Sequence, residues 1–252
     1  MVFYYQQIRK EEKSMETKVY FITGASSGIG EDVAKHLLDL NHKIIGCGLE
    51  EKAQLSHPNF YYFQTDVTNW KDLNEKLAQI MEANELTKLD GVVTSAGVCG
   101  VAEDIYGTSE DRFFELFNVN VMGTYNSIRA ALTYLKKGAI VTLSSSLGTK
   151  PVRNCIAYSP AKAAICQLTQ NLALELAPNI RVNAVAPSYI DTPMTRREPE
   201  KDAMRQALVA NYPLKRIGYI EDVRPAILYL LSDQASFITG EVLRVSGGGH
   251  LC

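Results

Sequence analysis

Seven short apolar runs, separated by longer amphipathic stretches, most limit how this chain can fold. They fall at 18–23, 43–47, 60–65, 91–95, 139–144, 181–186 and 241–245. Each is almost continuously apolar or β-branched, the pattern of a strand covered on both faces. Between them, helical patterning covers 28–40, 69–82, 109–135, 155–176 and 221–231. Alternation of this kind predicts βαβ units with right-handed crossovers. The expected fold class is α/β: a doubly wound parallel sheet of about seven strands with helices on both faces.

No break in composition divides the chain, so 17–252 reads as one domain. Residues 1–16 are polar and mixed in charge and read as a disordered extension. They lack the apolar core and cleavage site of a secretory signal. No stretch approaches 18 consecutive apolar residues, so no membrane span is expected. A net charge of −2 argues against nucleic acid or an anionic membrane as the main partner. Five cysteines without a C-x-x-C pair fit a reduced, cytoplasmic setting. Four scattered histidines offer no metal-ligand pair, so no metal is expected. Within 188–215, Pro193, Pro199 and Pro213 and the charged run from Arg196 to Asp202 mark an irregular insertion with one helix at 201–209. It reads as a substrate lid.

Two local patterns carry chemistry. The first strand ends in Thr23-Gly24-Ala25-Ser26-Ser27-Gly28-Ile29-Gly30 and opens a helix. Gly24 permits a tight turn, Gly28 lets backbone approach a phosphate, and Gly30 allows close helix–strand packing. A helix N-terminus offers N–H groups and a positive dipole end to a pyrophosphate. Further on, Tyr158 and Lys162 stand one helical turn apart, with Ser145 upstream. Residues at i and i+4 share a helix face. At an effective dielectric of about 20, an ammonium about 4 Å from the phenol is worth roughly 4 kcal/mol, close to three pKa units. That lowers the tyrosine pKa towards the range useful for acid–base catalysis. Y-x-x-x-K alone also occurs on solvated helix faces, and a glycine cluster alone is often only a turn.

The combination T-G-x-x-x-G-x-G, Ser145, Tyr158 and Lys162 resembles the short-chain dehydrogenase/reductase family, of Rossmann-type fold. The likeness runs over 18–249. It includes Asp66-Val67, Asn120 within Val119-Asn120-Val121, the run from Arg181 to Pro187, Thr239-Gly240 and Gly247-Gly248. Three departures stand out. Thr94-Ser95-Ala96-Gly97 replaces N-N-A-G, leaving the bracing of the central sheet to the Thr94 hydroxyl or losing it. Pro187-Ser188 replaces P-G, asking serine to adopt a glycine conformation. Ser246 replaces an aspartate.

The resemblance implies an oxidoreductase that moves a hydride between a nicotinamide cofactor and a small carbonyl or secondary alcohol. Tyr158 would be general acid/base, and Lys162 would lower its pKa and bond the nicotinamide ribose. Ser145 would orient the substrate oxygen, and Asn120 would hold a relay water. Cofactor contacts are implied for Gly24, Ser26, Ser27, Gly28, Ile29, Gly30, Leu49, Asp66, Val67, Thr94, Ala96 and Gly97. Tyr158, Lys162, Pro187, Ile190 and Thr192 complete that set. Substrate contacts are expected from Val98, Cys99, Leu147, Tyr189 and the lid over 194–208. These are mostly apolar, which suggests an uncharged substrate, unless Arg196 and Arg197 clamp an acidic one. Gly48 stands where NAD-preferring members place aspartate, and Leu49 and Glu50 stand where NADP-preferring members place arginine. Glu50 and Glu51 would repel a 2′-phosphate, which tilts the choice towards NAD over NADP. A homo-oligomer, tetramer or dimer, is also implied. The alternatives are a catalytically silent NAD(P)-binding sensor or scaffold of the same fold, or another Rossmann-type enzyme such as a methyltransferase or sugar epimerase.

Overall fold

Strand β1 (Val19–Thr23) is buried along its whole length because its side chains divide between two cores. Tyr20 and Ile22 join one hydrophobic cluster and Phe21 the other. The computed structural model describes residues 16–100, 104–196 and 201–251, with backbone only at 196 and 201–204. The expectation of a disordered extension over 1–16 thus falls almost wholly outside the described residues, as does Arg197. From β1 the chain continues through α1 (Gly28–Asp39), β2 (Lys43–Gly48), β3 (Phe60–Gln64), α2 (Trp70–Ala83), β4 (Leu89–Thr94) and α3 (Glu110–Phe117). Then follow α4 (Gly123–Ala131), β5 (Leu135–Leu143), α5 (Tyr158–Leu176), β6 (Ile180–Pro187), α6 (Pro193–Arg196), α7 (Lys201–Asn211), α8 (Ile220–Leu231) and β7 (Val242–Val245). The seven strands form one parallel sheet in the order β3-β2-β1-β4-β5-β6-β7.

On one face, Val33 and Leu37 of α1 and Val223 and Ile227 of α8 pack against Ile22, Ile44, Val93 and Val141. On the other, Leu73 and Leu77 of α2, Ile128 of α4 and Ala173 of α5 pack against Phe21, Ile45, Val92 and Ile140. Both faces are therefore covered, which is why the strands read as continuous apolar runs. Among the described residues no helix is long and apolar enough to cross a membrane.

Three features differ from expectation. The single helix predicted over 109–135 is interrupted by a π-helical turn, Asn118–Met122, and ends at Ala131. Asn120 lies inside that turn and donates its amide to Leu116 O at 2.9 Å and Val98 O at 3.1 Å. Strand β5 starts at Leu135, well before the predicted 139, because exposed Lys136 and Lys137 mask its apolar pattern. A register shift opposite Leu89 and Gly91 then realigns it. Finally, the helix predicted from 155 starts at Tyr158, after Asn154 takes a left-handed conformation at φ 57°.

The departures from the family pattern resolve individually. The Thr94 hydroxyl is buried without a hydrogen-bond partner, so the bracing role is lost rather than inherited. A threonine hydroxyl is a bond shorter than an asparagine amide and cannot reach as far. Ser188 is not in the left-handed region; its N–H donates to Val245 O at 3.0 Å, extending β6 against β7, so no glycine conformation is demanded. Ser246 pairs with His250 Nδ1 at 2.7 Å.

The β6–β7 junction hangs on Asn183, which is fully buried. Its amide donates to Ile238 O at 2.9 Å, and its carbonyl accepts from Glu241 N at 3.0 Å. Asn183→Ala removes both bonds and should cost about 1–3 kcal/mol, read as a lower urea midpoint with an unchanged slope.

Candidate active site

Strand order reverses at β1, so the crevice of this sheet opens beyond the C-terminal ends of β1 and β4. Those two ends are tied together. Thr23 O accepts from Ser95 N at 3.2 Å, and Thr23 Oγ1 accepts from Ala96 N at 3.3 Å. Gly24 turns at φ 67°, and a Cβ there would lie 2.8 Å from Ala96 N, so only glycine fits. Ser27 precedes α1 in extended conformation and makes no side-chain cap, leaving the first N–H groups of the helix without that partner. A Cβ on Gly28 would have Thr192 and Pro193 as its nearest neighbours, both at 4.0 Å, so the glycine loop faces the segment after β6.

At the end of β2, Glu50 Oε2 accepts from Ser26 Oγ at 2.5 Å, and Tyr62 donates its hydroxyl to Glu50 O at 2.8 Å. A Cβ on Gly48 would lie 2.5 Å from Ser26 Oγ and 2.8 Å from the Tyr62 hydroxyl. Leu49 and Asp66 are exposed nearby, Asp66 Oδ1 accepting from Thr68 N at 2.8 Å, whereas Val67 is buried against Gly123.

One cavity of about 400 Å³ collects Asn120, Ser145, Tyr158 and Lys162, together with Ile29, Gly97, Pro187, Ile190 and Thr192. Local packing explains the convergence. Ser144 Oγ donates to Lys162 O at 2.8 Å, and the Thr142 and Thr169 hydroxyls pair at 2.7 Å, fastening α5 to β5. Gly148 packs so tightly on α5 that a Cβ would fall 2.6 Å from the Lys162 carbonyl carbon. Ser145 Oγ accepts from Leu147 N at 3.2 Å, donates to Pro187 O at 3.5 Å and faces the same cavity as the Tyr158 phenol. Lys162 Nζ donates to Leu143 O at 3.0 Å and lies 5.7 Å from the Tyr158 ring centroid. Asn120 is fully buried, and its Oδ1 has no protein partner. It points towards Gly97, where a Cβ would sit 2.7 Å from Oδ1 and 3.6 Å from Lys162 Nζ. The expected wall residues Val98, Cys99, Leu147, Tyr189, Met194 and Leu208 all line the cavity. Val152, Arg153, Asn154, Cys155 and Tyr212 line it too and were missed in sequence. Only their place just before Tyr158, or beyond the prolines, could have signalled them.

Known proteins are similar to this one across nearly the whole chain. The family model described as enoyl-(acyl carrier protein) reductase matches residues 24–250. The 3-oxoacyl-[acyl-carrier-protein] reductase FabG of Thermotoga maritima is 33% identical over 93% of this chain and 98% of its own. The chain belongs to the short-chain dehydrogenase/reductase family. Its members are nicotinamide-dependent oxidoreductases acting between carbonyl and alcohol, and so is this one. Among solved structures, the aldohexose dehydrogenase of Thermoplasma acidophilum superimposes with a TM-score of 0.86 at 30% identity, covering 94% of this chain and 95% of that one. ElxO with NADP bound superimposes at 0.85 and 29% identity, covering 94% and 100%.

A nicotinamide dinucleotide fits the residues present. The left-handed Gly24 and the uncapped start of α1 are the features such a ligand needs. One electrostatic expectation is overturned. The Tyr158 pKa is raised, not lowered. Burial is the main cause, and the Ser145 hydrogen bond opposes it only in part. The Lys162 amine donates to Leu143 O and lies over the Tyr158 ring, and its charge is not among the causes that set the phenol's pKa.

Burial also pushes the Lys162 pKa down, to about 8. Below that pH the folded chain holds the amine charged at a desolvation cost. Between there and the unperturbed 10.5, the unfolded chain binds more protons, so this residue makes stability rise with pH. Lys162→Met should therefore raise the melting temperature of the cofactor-free protein at neutral pH, by the equivalent of at most roughly 3 kcal/mol. That gain should shrink towards about pH 10, as thermal melts across this range would record.

Proposed function

We propose that this enzyme interconverts a small carbonyl compound and its secondary alcohol using NAD(H), with Tyr158 as the proton-transferring residue. The observation that carries the reading is the meeting of Ser145, Tyr158, Lys162 and Asn120 in one cavity at the sheet's switch point. When bound, the cofactor supplies or accepts the hydride. The chain positions and moves the proton. The Ser145 hydroxyl, steadied by Leu147 N, bonds the substrate oxygen beside the phenol. Tyr158 delivers its proton to that oxygen in reduction and takes one in oxidation. Its raised pKa keeps the phenol protonated at neutral pH, the form that donates, which supports reduction. Asn120 Oδ1, lacking a protein partner, would accept from a water that leads protons to Lys162.

The glycine loop, through Gly24, Ser26, Ser27, Gly28, Ile29 and Gly30, would hold the pyrophosphate. Leu49, Asp66 and Val67 would border the adenosine. Thr94, Ala96 and Gly97 would line the crevice, and Pro187, Ile190 and Thr192 would meet the nicotinamide. The preference for NAD rests on Glu50. At Gly48 the place of the usual aspartate is taken by the Ser26 and Tyr62 hydroxyls, and the Glu50 carboxylate is held by Ser26 close to the same spot. A 2′-phosphate would meet that charge. Met194, Thr195 and Leu208 reach the cavity from α6 and α7, supporting a lid over part of 188–215. Exposed Phe114, Met122 and Tyr125 along the α3–α4 stretch support a homo-oligomer, and the cysteine pattern supports a cytoplasmic setting.

Three outcomes follow. Tyr158→Phe should abolish turnover while NADH still quenches protein fluorescence; more than about a tenth of the rate remaining would contradict the proton-transfer role. Side-by-side kinetics should favour NADH over NADPH, and Glu50→Arg should reverse the order; a wild-type NADPH preference sinks the NAD assignment. Reduction should hold its rate over about pH 6–8, whereas oxidation, which needs phenolate, should climb with pH.

A further inference from the structure

Arg153 is the one cationic side chain, apart from Lys162, among the described residues that line the cavity, and none of those residues is acidic. Among the described residues it has no hydrogen-bond or ion-pair partner. Other surface cations pair with a carboxylate: Arg216 with Asp222, Arg224 with Asp32, Arg112 with Glu115, Lys76 with Asp72. Arg153 stands on a segment held at both ends. Lys150 Nζ donates to Gly249 O at 2.7 Å on one side. On the other, Asn154 takes its left-handed turn and buried Cys155 O accepts from Ser159 N at 3.2 Å, at the start of α5. The guanidinium is thus carried at the wall of the cavity five residues before the proton donor. The same cavity is lined by apolar side chains, among them Leu147, Val152, Tyr189, Met194 and Leu208.

We propose that the substrate carries an anionic group at the end remote from its carbonyl, a carboxylate in the simplest case, and that Arg153 binds it. The inference rests on the oxidoreductase reading above and names its substrate class. An arginine fork accepts a carboxylate through two charge-assisted hydrogen bonds. With no acidic residue on the described walls, nothing there competes for the guanidinium or repels the anion. The apolar stretch between the two polar ends then selects an aliphatic or aromatic spacer. Such a substrate is bound by its ends, which sets the carbonyl at Ser145 and Tyr158 without any polar contact in the middle. This replaces the uncharged substrate expected from sequence, where Arg153 went unnoticed in a polar run.

The test uses ligands that bind without reacting. Affinities of straight-chain carboxylates of about five to nine carbons and of their primary amides are measured by calorimetry, with and without NADH. In the wild type the acid should bind about tenfold more tightly than the amide, a partly exposed pair being weakened by solvent. Arg153→Gln should bring the ratio towards one, and Arg153→Glu should invert it. Alkyl phosphates and sulfonates of matched length form further arms, the tightest naming the anion. A wild-type ratio near one overturns the proposal. So does a ratio that survives Arg153→Gln, which would assign the anion to Lys162. Turnover of the corresponding oxo acids is scored separately. If acids bind through Arg153 but no oxo acid or hydroxy acid reacts with either nicotinamide, the reading of the reaction fails while the anion site stands.

Discussion

The contact on which the site depends is the pairing of β1 with β4 beyond their last residues. Thr23 receives Ser95 N on its carbonyl and Ala96 N on its hydroxyl. These bonds hold the two strand ends side by side where the sheet reverses direction, and that reversal opens the crevice. Gly24 sits against Ala96 with no space for a side chain, and a Cβ on Gly30 would fall 2.3 Å from Gly24 O. The loop, the start of α1 and the end of β4 therefore form one closely packed unit. A side chain at any of these positions would push the helix terminus away from the crevice.

On the far side of the crevice, the chain buries polar groups that an apolar core would not choose. Lys162, Asn120 and Ser145 are buried, and the Asn120 oxygen and Thr94 hydroxyl lack partners. Each such group opposes folding. They are held by well-bonded neighbours: Ser144 to Lys162 O, Thr142 to Thr169, and the Asn120 amide to two carbonyls. The arrangement trades stability for a preorganised site, which is where local rules are most often broken.

The glycine loop and the strands themselves were legible in the sequence because they are local. A left-handed turn needs glycine whatever surrounds it, and a doubly covered strand is apolar throughout. Element ends were less legible. Leu135 opens a strand whose next two residues are lysines, and Asn120 bends a helix through bonds to Leu116 and distant Val98. The Tyr158 environment was misread for a related reason. Helical spacing says that Lys162 shares its face, but it does not say that the amine turns to Leu143 O or that burial outweighs its charge. The place of Arg153 on the cavity wall was invisible because it depends on which segments fold around it.

By itself, then, the sequence determined the parallel α/β sheet, the glycine loop and the four groups that meet in the cavity, since each is written in spacing along the chain. Only the tertiary structure decided their electrostatics and the shape of what they serve. Desolvation, the direction of the lysine amine, the side chains crowding Gly48 and the composition of the described cavity wall beside Arg153 all depend on groups far apart in sequence. Charge interactions are set by distance and dielectric in space, and neither is encoded by position along the chain.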